Sequence, residues 1–482
     1  MSSTASPPVG SPAPGGGGAW TAAGAGSLRD GTGTIDVARL IEGRRLTGFN
    51  YRLIVISWLI TFFDGFDQMM ISFTAPYMRD ELHLTTPQIG WMISAGIAGM
   101  MAGGFLFSWI ADRIGRRPTI IGAAYAFGIL TAATAFARTL DQLLMFRFFD
   151  GLAIGGMLPL AWALNIEFVP KRMRSTVVTI IMMGYSIGTS CAGPLTNWLA
   201  PTYGWQGVYL AGGIGTLVCA TLLLLYLPES IRFLVTKGLR PDRVAATIAR
   251  MEPEMAPSKD DRFTLSDEGV DRSGFHVRQL FKGDLARITP LLWIGYTVSS
   301  LAVYFMSSWG PIVLEELDFP RSTAAWASAA SGAMGALAGL ALMRFTDTRG
   351  PRSIAFLPAC AVIVLLVLGM GLLPHGLIIP GQMMMALTVS GGHFGILSIA
   401  GIFYPSAIRA SGAGWATSIA KLGGILGPVL GGYVLASGLP ILRSYALLAI
   451  CPAILCLCAL ALARIVHGRV VHEPVPDAVP AS

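Results

Sequence analysis

The chain has 482 residues, of which 53% are hydrophobic and only 13% charged, and its mean hydropathy is +0.62. Soluble domains carry about 25% charged residues, so a soluble enzyme, a nucleic-acid-binding domain and a disordered scaffold are excluded, and the solvent for most of the chain is lipid. The net charge of +7 then reads as membrane topology, because cytoplasmic loops collect Lys and Arg.

In chain order, residues 1–34 are rich in Gly, Ala, Ser, Thr and Pro, a composition that predicts disorder. They lack a basic start followed by an apolar stretch, so no signal peptide is expected. Residues 35–48 predict a short amphipathic helix on the cytoplasmic surface, and the N-terminal segment runs to residue 50. A spanning helix needs about 20 mostly apolar residues. Breaks at charge clusters and at Pro and Gly turns place twelve spans: 53–77, 89–111, 118–137, 141–164, 175–199, 206–228, 287–312, 322–345, 353–373, 377–403, 409–436 and 440–464. The expected organisation is a six-helix half over 51–228, a linker over 229–286, a second half over 287–465 and a tail over 466–482. The linker mixes both signs (Glu252, Glu254, Asp260 and Asp261 with Arg250, Lys259 and Arg262) and reads as solvated. Six cysteines lie in apolar segments without metal-ligand spacing, so no disulfide framework is implied.

Alternate loops hold the basic residues: Arg113, Arg116 and Arg117, then Lys171, Arg172 and Arg174, then the linker, then Arg344, Arg349 and Arg352, then Arg409, then Arg464 and Arg469. The opposite loops hold only Arg79, Arg138, Arg321 and Arg443. The asymmetry predicts both termini and the linker in the cytoplasm.

An internal repeat runs at a single offset of 235 residues. Asp112, Gly115 and Arg117 recur as Asp347, Gly350 and Arg352; Pro170 and Arg174 recur as Pro405 and Arg409. Trp91, Gly104, Gly156 and Gly188 recur as Trp326, Gly339, Gly391 and Gly423. Two parallel six-helix halves follow, with a substrate site expected between them near the midplane. The repeat also serves as a control, since a charge present in only one copy is not explained by the common scaffold. Asp64, Asp67, Arg147, Asp150 and Glu167 map to Ser299, Ala302, Gln382, Met385 and Ile402, while Lys421 and His393 map to Ser186 and Leu158. Charges inside lipid are costly and mark function.

Five stretches carry chemistry. The turn Asp112-Arg113-Ile114-Gly115-Arg116-Arg117, with its echo at Asp347, Gly350 and Arg352, predicts a gate: the glycine permits a tight turn, and the arginines can pair with Asp112 or with helix C-termini across the halves. Asp64 and Asp67 flank a glycine in the first span and share one helix face. Two acids together in lipid suit proton uptake and release, or they only tune the potential of a wet cleft. Arg147 stands one turn from Asp150; an internal ion pair competes with Arg147 serving Glu167 or a substrate carboxylate. Gly151, Gly155 and Gly156 read as close packing, and so do the glycines of the eleventh span, although their spacing mimics an antiporter pattern. Lys421 reads as counter-ion for an anionic substrate or as partner for an internal acid. His393 reads as a substrate or proton group near neutral pH, or as a polar residue satisfied by a neighbouring helix. Arg174 and Arg409, present in both copies, read as parts of the gate.

The first of these stretches resembles the major facilitator superfamily signature G-x-x-x-D-R-x-G-R-R, with Ser108 in place of the leading glycine. Asp64-Gly65-Phe66-Asp67, Arg147 with Gly155 and Gly156, Glu167 with Pro170, Leu227-Pro228-Glu229-Ser230, Tyr404-Pro405, Arg409 and Gly414-Trp415 resemble the aromatic acid:proton symporters of that superfamily, over roughly residues 50–465. Lys421, where that group usually has Arg, offers a point charge instead of a bidentate fork. Ile402 stands where the group often has Glu, and Asp150 is unusual as well.

The resemblance implies an all-α fold of twelve helices in two pseudo-symmetric halves, and import of a small anionic aromatic substrate with protons. By the matching positions Asp64 and Asp67 would be essential, and Arg147, Glu167 and Arg409 important. The combined expectation is a monomer in the bacterial inner membrane, without cofactor or metal and driven by the proton gradient. Protons couple through Asp64, Asp67 and Glu167, and substrate is met by Arg147, His393 and Lys421. Drug or metabolite efflux, import of a non-aromatic acid, and a sensor that has lost transport are the rival readings.

Overall fold

A computed structural model of the chain describes residues 34–472 apart from 253, 254, 256, 259, 267–276, 350–353 and 405–407, and also leaves out the side chains of 336, 339–349, 398–403, 409–411 and 466–472. A short strand β1 (Thr34–Asp36) and helix α1 (Val37–Gly43) come first. The first four expected spans fall on α2 (Gly48–Leu82), α3 (Thr86–Ile114), α4 (Arg116–Thr134) and α5 (Leu140–Glu167). Spans five and six lie in one run, α6 (Lys171–Tyr226), which joins two helices across the turn expected between them. The run is broken at Gly204, whose φ of 66° is one that glycine adopts without a Cβ penalty.

The linker carries α7 (Ile231–Thr236), α8 (Pro241–Met251) and β2 (Arg262–Thr264). The remaining spans fall on α9 (Leu285–Glu316), α10 (Arg321–Arg349), α11 (Phe356–Gly369), α12 (Ile378–Phe403) and α13 (Arg409–Leu435), with the last span on α14 (Arg443–Leu448) and α15 (Ile450–His472). Among the described residues, seven helical stretches are, by length and composition alone, apolar enough to cross a membrane. Helices suit lipid because they satisfy every backbone group internally. Their starts follow capping chemistry: Thr47 with Asn50 and Thr85 with Gln88 form reciprocal capping boxes, and Thr139 caps α5 through the Gln142 amide.

Packing repeats the sequence offset. α2 packs on α6 as α9 packs on α13, and α3 packs on α5 as α10 packs on α12. A Cβ added at Gly188 would run into the Phe62 carbonyl, and one added at Gly423 would run into the Thr297 carbonyl. These are the same contact 235 residues on. One apolar core, from Phe66 and Met70 to Trp309 and Val313, draws on both halves and lies at the end away from the termini. At the terminus end each half packs a core of its own, one around Ile120, Ile154 and Leu223 and the other around Leu292, Ile396 and Leu462.

The linker was expected to be solvated, but much of it is docked. β1 pairs in parallel with β2, and Val37, Leu40 and Ile41 of α1 pack with Val244, Ile248 and Met251 of α8 in the first half's own core. Arg44 is buried beneath them, donating to the Met251 carbonyl at 2.6 Å with Glu252 3.8 Å away. Burial lowers its guanidinium below the usual arginine value, and Glu252 offsets part of that. The mixed charges of the linker hid an amphipathic helix whose apolar face meets the N-terminal segment.

Candidate functional site

The five unmatched charges of the first half separate into two groups. At mid-depth, Arg147 donates from Nη1 to both Asp67 oxygens at 3.0 Å and to Asp150 Oδ2 at 3.1 Å. Thr131 donates to the other Asp150 oxygen at 3.0 Å. All three charged side chains are at least 95% buried. The internal Arg147–Asp150 pair is present, and Asp67 joins it. Asp64, one turn earlier on α2, is fully buried, and neither of its oxygens has a hydrogen-bond partner among the described residues. Lys421 on α13 and the phenols of Tyr185 and Tyr304 interact with it electrostatically. Lys421 itself reaches the Met100 carbonyl of the other half at 3.4 Å.

Glu167 belongs to a second group at the terminus end. It forms an ion pair with Arg116 and accepts a hydrogen bond from Ser230 Oγ at 2.5 Å. Arg147 therefore pairs with the span-one acid Asp67 and Asp150, while Glu167 pairs with the gate turn. In that turn Gly115 has a φ of 106°, as a tight connection requires. The amides of Arg116 and Arg117 donate to Glu229 Oε1 at 2.9 and 3.0 Å. Arg117 also donates to the Leu224 and Leu227 carbonyls at 2.7 Å, at the C-terminus of α6. Of the two expectations, pairing with Asp112 or with helix C-termini across the halves, Arg117 does meet a helix C-terminus, but one within its own half. Asp112 and Arg113 are exposed, and the Arg113 guanidinium lies 3.7 Å from the Trp109 ring centroid. Arg174 donates to the Val169 carbonyl at 3.3 Å. Gly350 and Arg352 lie outside the described residues, as do the side chains of Asp347 and Arg409.

Two cavities sit between the halves. The smaller, about 200 Å³, is lined by Arg147 and His393 together with Gln68 and Tyr304. His393 bonds Ser299 through Nδ1 at 2.9 Å. The larger, about 440 Å³, is lined by methionines, Phe73 and Phe394, and by serine and threonine hydroxyls such as Ser186 and Thr189. Tyr185 and Ser307 border both. That volume falls in the range of small-molecule pockets, about 300–1,000 Å³. Arg147 and His393 thus share one cavity wall, whereas Lys421 stands apart, beside Asp64. The glycines of the eleventh span are packing devices: Gly427 meets the Leu301 carbonyl and Gly431 the Trp309 ring.

A group missed from the sequence closes the end away from the termini. Arg79 pairs with Glu316 at 3.1 Å and Arg321 with Asp80 at 3.2 Å, both across the halves, and Arg321 also holds Glu315 at 3.1 Å. A signal was present, because Asp80 and Glu81 recur at the 235 offset as Glu315 and Glu316. Glu81 serves the scaffold, accepting from Trp205 and Gln206 at 2.8 Å.

Comparison with known proteins agrees with the fold. The family model of the Major Facilitator Superfamily matches residues 57–374. The gallate transporter of Pseudomonas putida is 32% identical over 436 residues, covering 90% of this chain and 95% of that one. The 4-hydroxybenzoate transporter PcaK of Acinetobacter baylyi is 29% identical, covering 83% and 88%. Among solved structures, an inward-facing bacterial homolog of the human lysosomal transporter Spinster aligns with a TM-score of 0.67 at 16% identity, over 90% of this chain and all of that one. The xylose transporter XylE of E. coli aligns at 0.64 and 15%, over 90% and 100%. The chain belongs to the major facilitator superfamily, in the branch of its aromatic acid transporters, and is a multi-pass membrane transporter and not an enzyme.

Proposed function

We propose that the protein imports a small hydroxylated aromatic carboxylate together with protons, by alternating access across a bacterial inner membrane with both termini in the cytoplasm. The observation that carries this reading is the charge balance beside the cavities. Asp64, Asp67 and Asp150 face two cations, Arg147 and Lys421, so one negative charge is in excess. A proton removes that excess and lets an anion settle against Arg147, whose remaining donors edge the smaller cavity. The apolar and hydroxyl-lined larger cavity suits a ring bearing hydroxyl groups, and the named activities of the sequence relatives, gallate and 4-hydroxybenzoate transport, support that class. No cofactor is needed, since the proton gradient supplies the driving force.

The test is uptake of labelled 4-hydroxybenzoate and gallate into proteoliposomes under an imposed pH gradient. Accumulation that collapses with a protonophore and in Asp64→Asn is expected. Uptake indifferent to both would overturn the coupling.

A further inference from the structure

Below Asp64 runs a set of buried polar groups that the cavities and the gate do not use. Ser57, Thr61 and Asp64 follow at i, i+4 and i+7 on one face of α2, and all three are fully buried. Asn165 on α5 is 1% exposed and donates to Ser57 Oγ at 2.7 Å and to the Ala161 carbonyl at 2.8 Å. Among the described residues its Oδ1 has no partner, and one turn before it the Trp162 Nε1 has none either. Two residues after Asn165 stands Glu167, bonded to Ser230 and Arg116. Thr61 Oγ1 donates to the Ser57 carbonyl at 2.7 Å, and from Asp64 to Ser57 the helix rises about 10 Å, so this file of groups lines the interval between the site and the terminus end.

The repeat supplies the control. Ser57 maps to Leu292, Asn165 to Ala400 and Trp162 to Leu397, while Thr61 maps to Tyr296. Leu292 is fully buried in its own core, and the Tyr296 hydroxyl is satisfied by the Leu397 carbonyl at 2.9 Å. The second copy therefore carries apolar residues at three of these four places and a satisfied tyrosine at the fourth. An unsatisfied buried polar atom costs about 1–3 kcal/mol, and among the described residues one acceptor and one donor are left bare near Ser57, about two helical turns from Asp64, which is itself without a hydrogen bond.

We propose that Ser57, Thr61 and Asn165, edged by Trp162, form the path by which the proton leaves Asp64 for the terminus end, with Glu167 as the last carboxylate before solvent. The proposal rests on the proton-coupled reading above. In the transfer the O–H bond of protonated Asp64 breaks. The Thr61 hydroxyl, turning away from the Ser57 carbonyl that it bonds at 2.7 Å, accepts that hydrogen and gives up its own to the Ser57 hydroxyl. Ser57 in turn gives up its own to a water entering between Asn165 Oδ1 and Trp162 Nε1, and that water releases one proton to Glu167. Asn165 is a positioning residue and does not itself carry the proton. The groups that bear on Asp64 are Asp67 on its own helix, Lys421 on α13, Tyr185 on α6 and Tyr304 on α9. Arg147 and Asp150 on α5 act through Asp67.

The experiment separates proton release from substrate movement. Exchange of labelled for unlabelled 4-hydroxybenzoate at equal pH on both sides needs no net proton release, whereas accumulation driven by a pH gradient does. In Ser57→Ala and Asn165→Leu, accumulation is expected to slow by about 10²-fold, the low end of what one positioned proton-transfer group supplies, while exchange continues at the wild-type rate. Ser57→Thr, which keeps the hydroxyl, restores accumulation. Accumulation unchanged in both variants overturns the path. Loss of exchange together with accumulation in Ser57→Ala, a one-atom deletion, also overturns it and makes the file interhelical glue. If wild-type uptake ignores the pH gradient, the coupling reading itself fails, which the wild type alone reveals.

Discussion

Removing Arg147 tests the buried charge cluster most directly. Its Nη1 makes three hydrogen bonds of 3.0–3.1 Å to Asp67 and Asp150, with no more than 5% of any partner exposed. Arg147→Met strands two carboxylates, and breaking a buried ion pair from one side costs about 3–5 kcal/mol. Asp150→Asn is milder: Arg147 keeps Asp67, and the new amide oxygen still accepts from Thr131, so a loss of about 1 kcal/mol is expected. Combining Arg147→Met with Asp67→Asn and Asp150→Asn removes all three charges, and replacing a whole buried network by neutral groups is often close to neutral. The triple variant should therefore recover most of the stability lost by Arg147→Met while remaining inactive in uptake. The assay is the unfolding midpoint of the purified protein in detergent, read by intrinsic fluorescence, beside proteoliposome uptake. A triple variant no more stable than Arg147→Met, or a stable and active Arg147→Met, would refute the cluster.

Other positions give independent checks. Arg79→Ala and Arg321→Ala each remove a half-exposed pair worth about 0.2–1 kcal/mol. The outward-open population should then rise by about 1.5- to 5-fold, measured as spin-label distances across that end, and 1 M salt should mimic the variants. Gly188→Val and Gly423→Val drive a side chain into the Phe62 and Thr297 carbonyls, and overpacking of this kind costs about 1–3 kcal/mol or more. Both should lower the yield of folded protein alike, and tolerance at either position would break the symmetry argument. Arg44→Ala leaves the Met251 carbonyl without its 2.6 Å donor at a cost of about 1–3 kcal/mol. Faster hydrogen exchange in α8 is expected, with transport retained.

The fold was legible because lipid restricts the chain to helices and because one offset tied charges, prolines and glycines together. The Gly188–Phe62 and Gly423–Thr297 contacts are that offset in three dimensions. The break between the fifth and sixth spans was legible from Pro201 and Gly204, and the structure keeps it at Gly204, where φ is 66° and ψ −179°. Within the site, the Arg147–Asp150 pair follows from helix spacing, whereas Asp67 is 80 residues from Arg147, and nothing local joins them. Glu167 was grouped with the span-one acids because it has no symmetry mate and because the resemblance implied it, and its contacts with Arg116 and Ser230 arise from how three helix ends converge. The pairs at Arg79 and Arg321 were hidden because few charges in those loops read as topology, although the repeated acids beside them were visible.

The ends of the bundle and its centre differ in how much they can decide. At the end away from the termini the halves share an apolar core, and part of the seam is backbone on backbone, as where Gly90 faces Pro428 and Gly432 faces Thr86. Such a surface has few interdigitating side chains to withdraw when the halves part. The pairs on its rim are half-exposed and worth about 0.2–1 kcal/mol each. A proton at Asp64 changes one full charge at a fully buried position facing Asp67 and Lys421, where screening by water and salt is much weaker than on the rim. The centre therefore outweighs the rim. Substitutions at Asp64 or Lys421 should change whether uptake follows the proton gradient at all, while substitutions at Arg79, Asp80, Glu316 or Arg321 should change its rate by a few-fold and leave the coupling intact. Loss of gradient dependence on neutralising a rim pair would reverse that order.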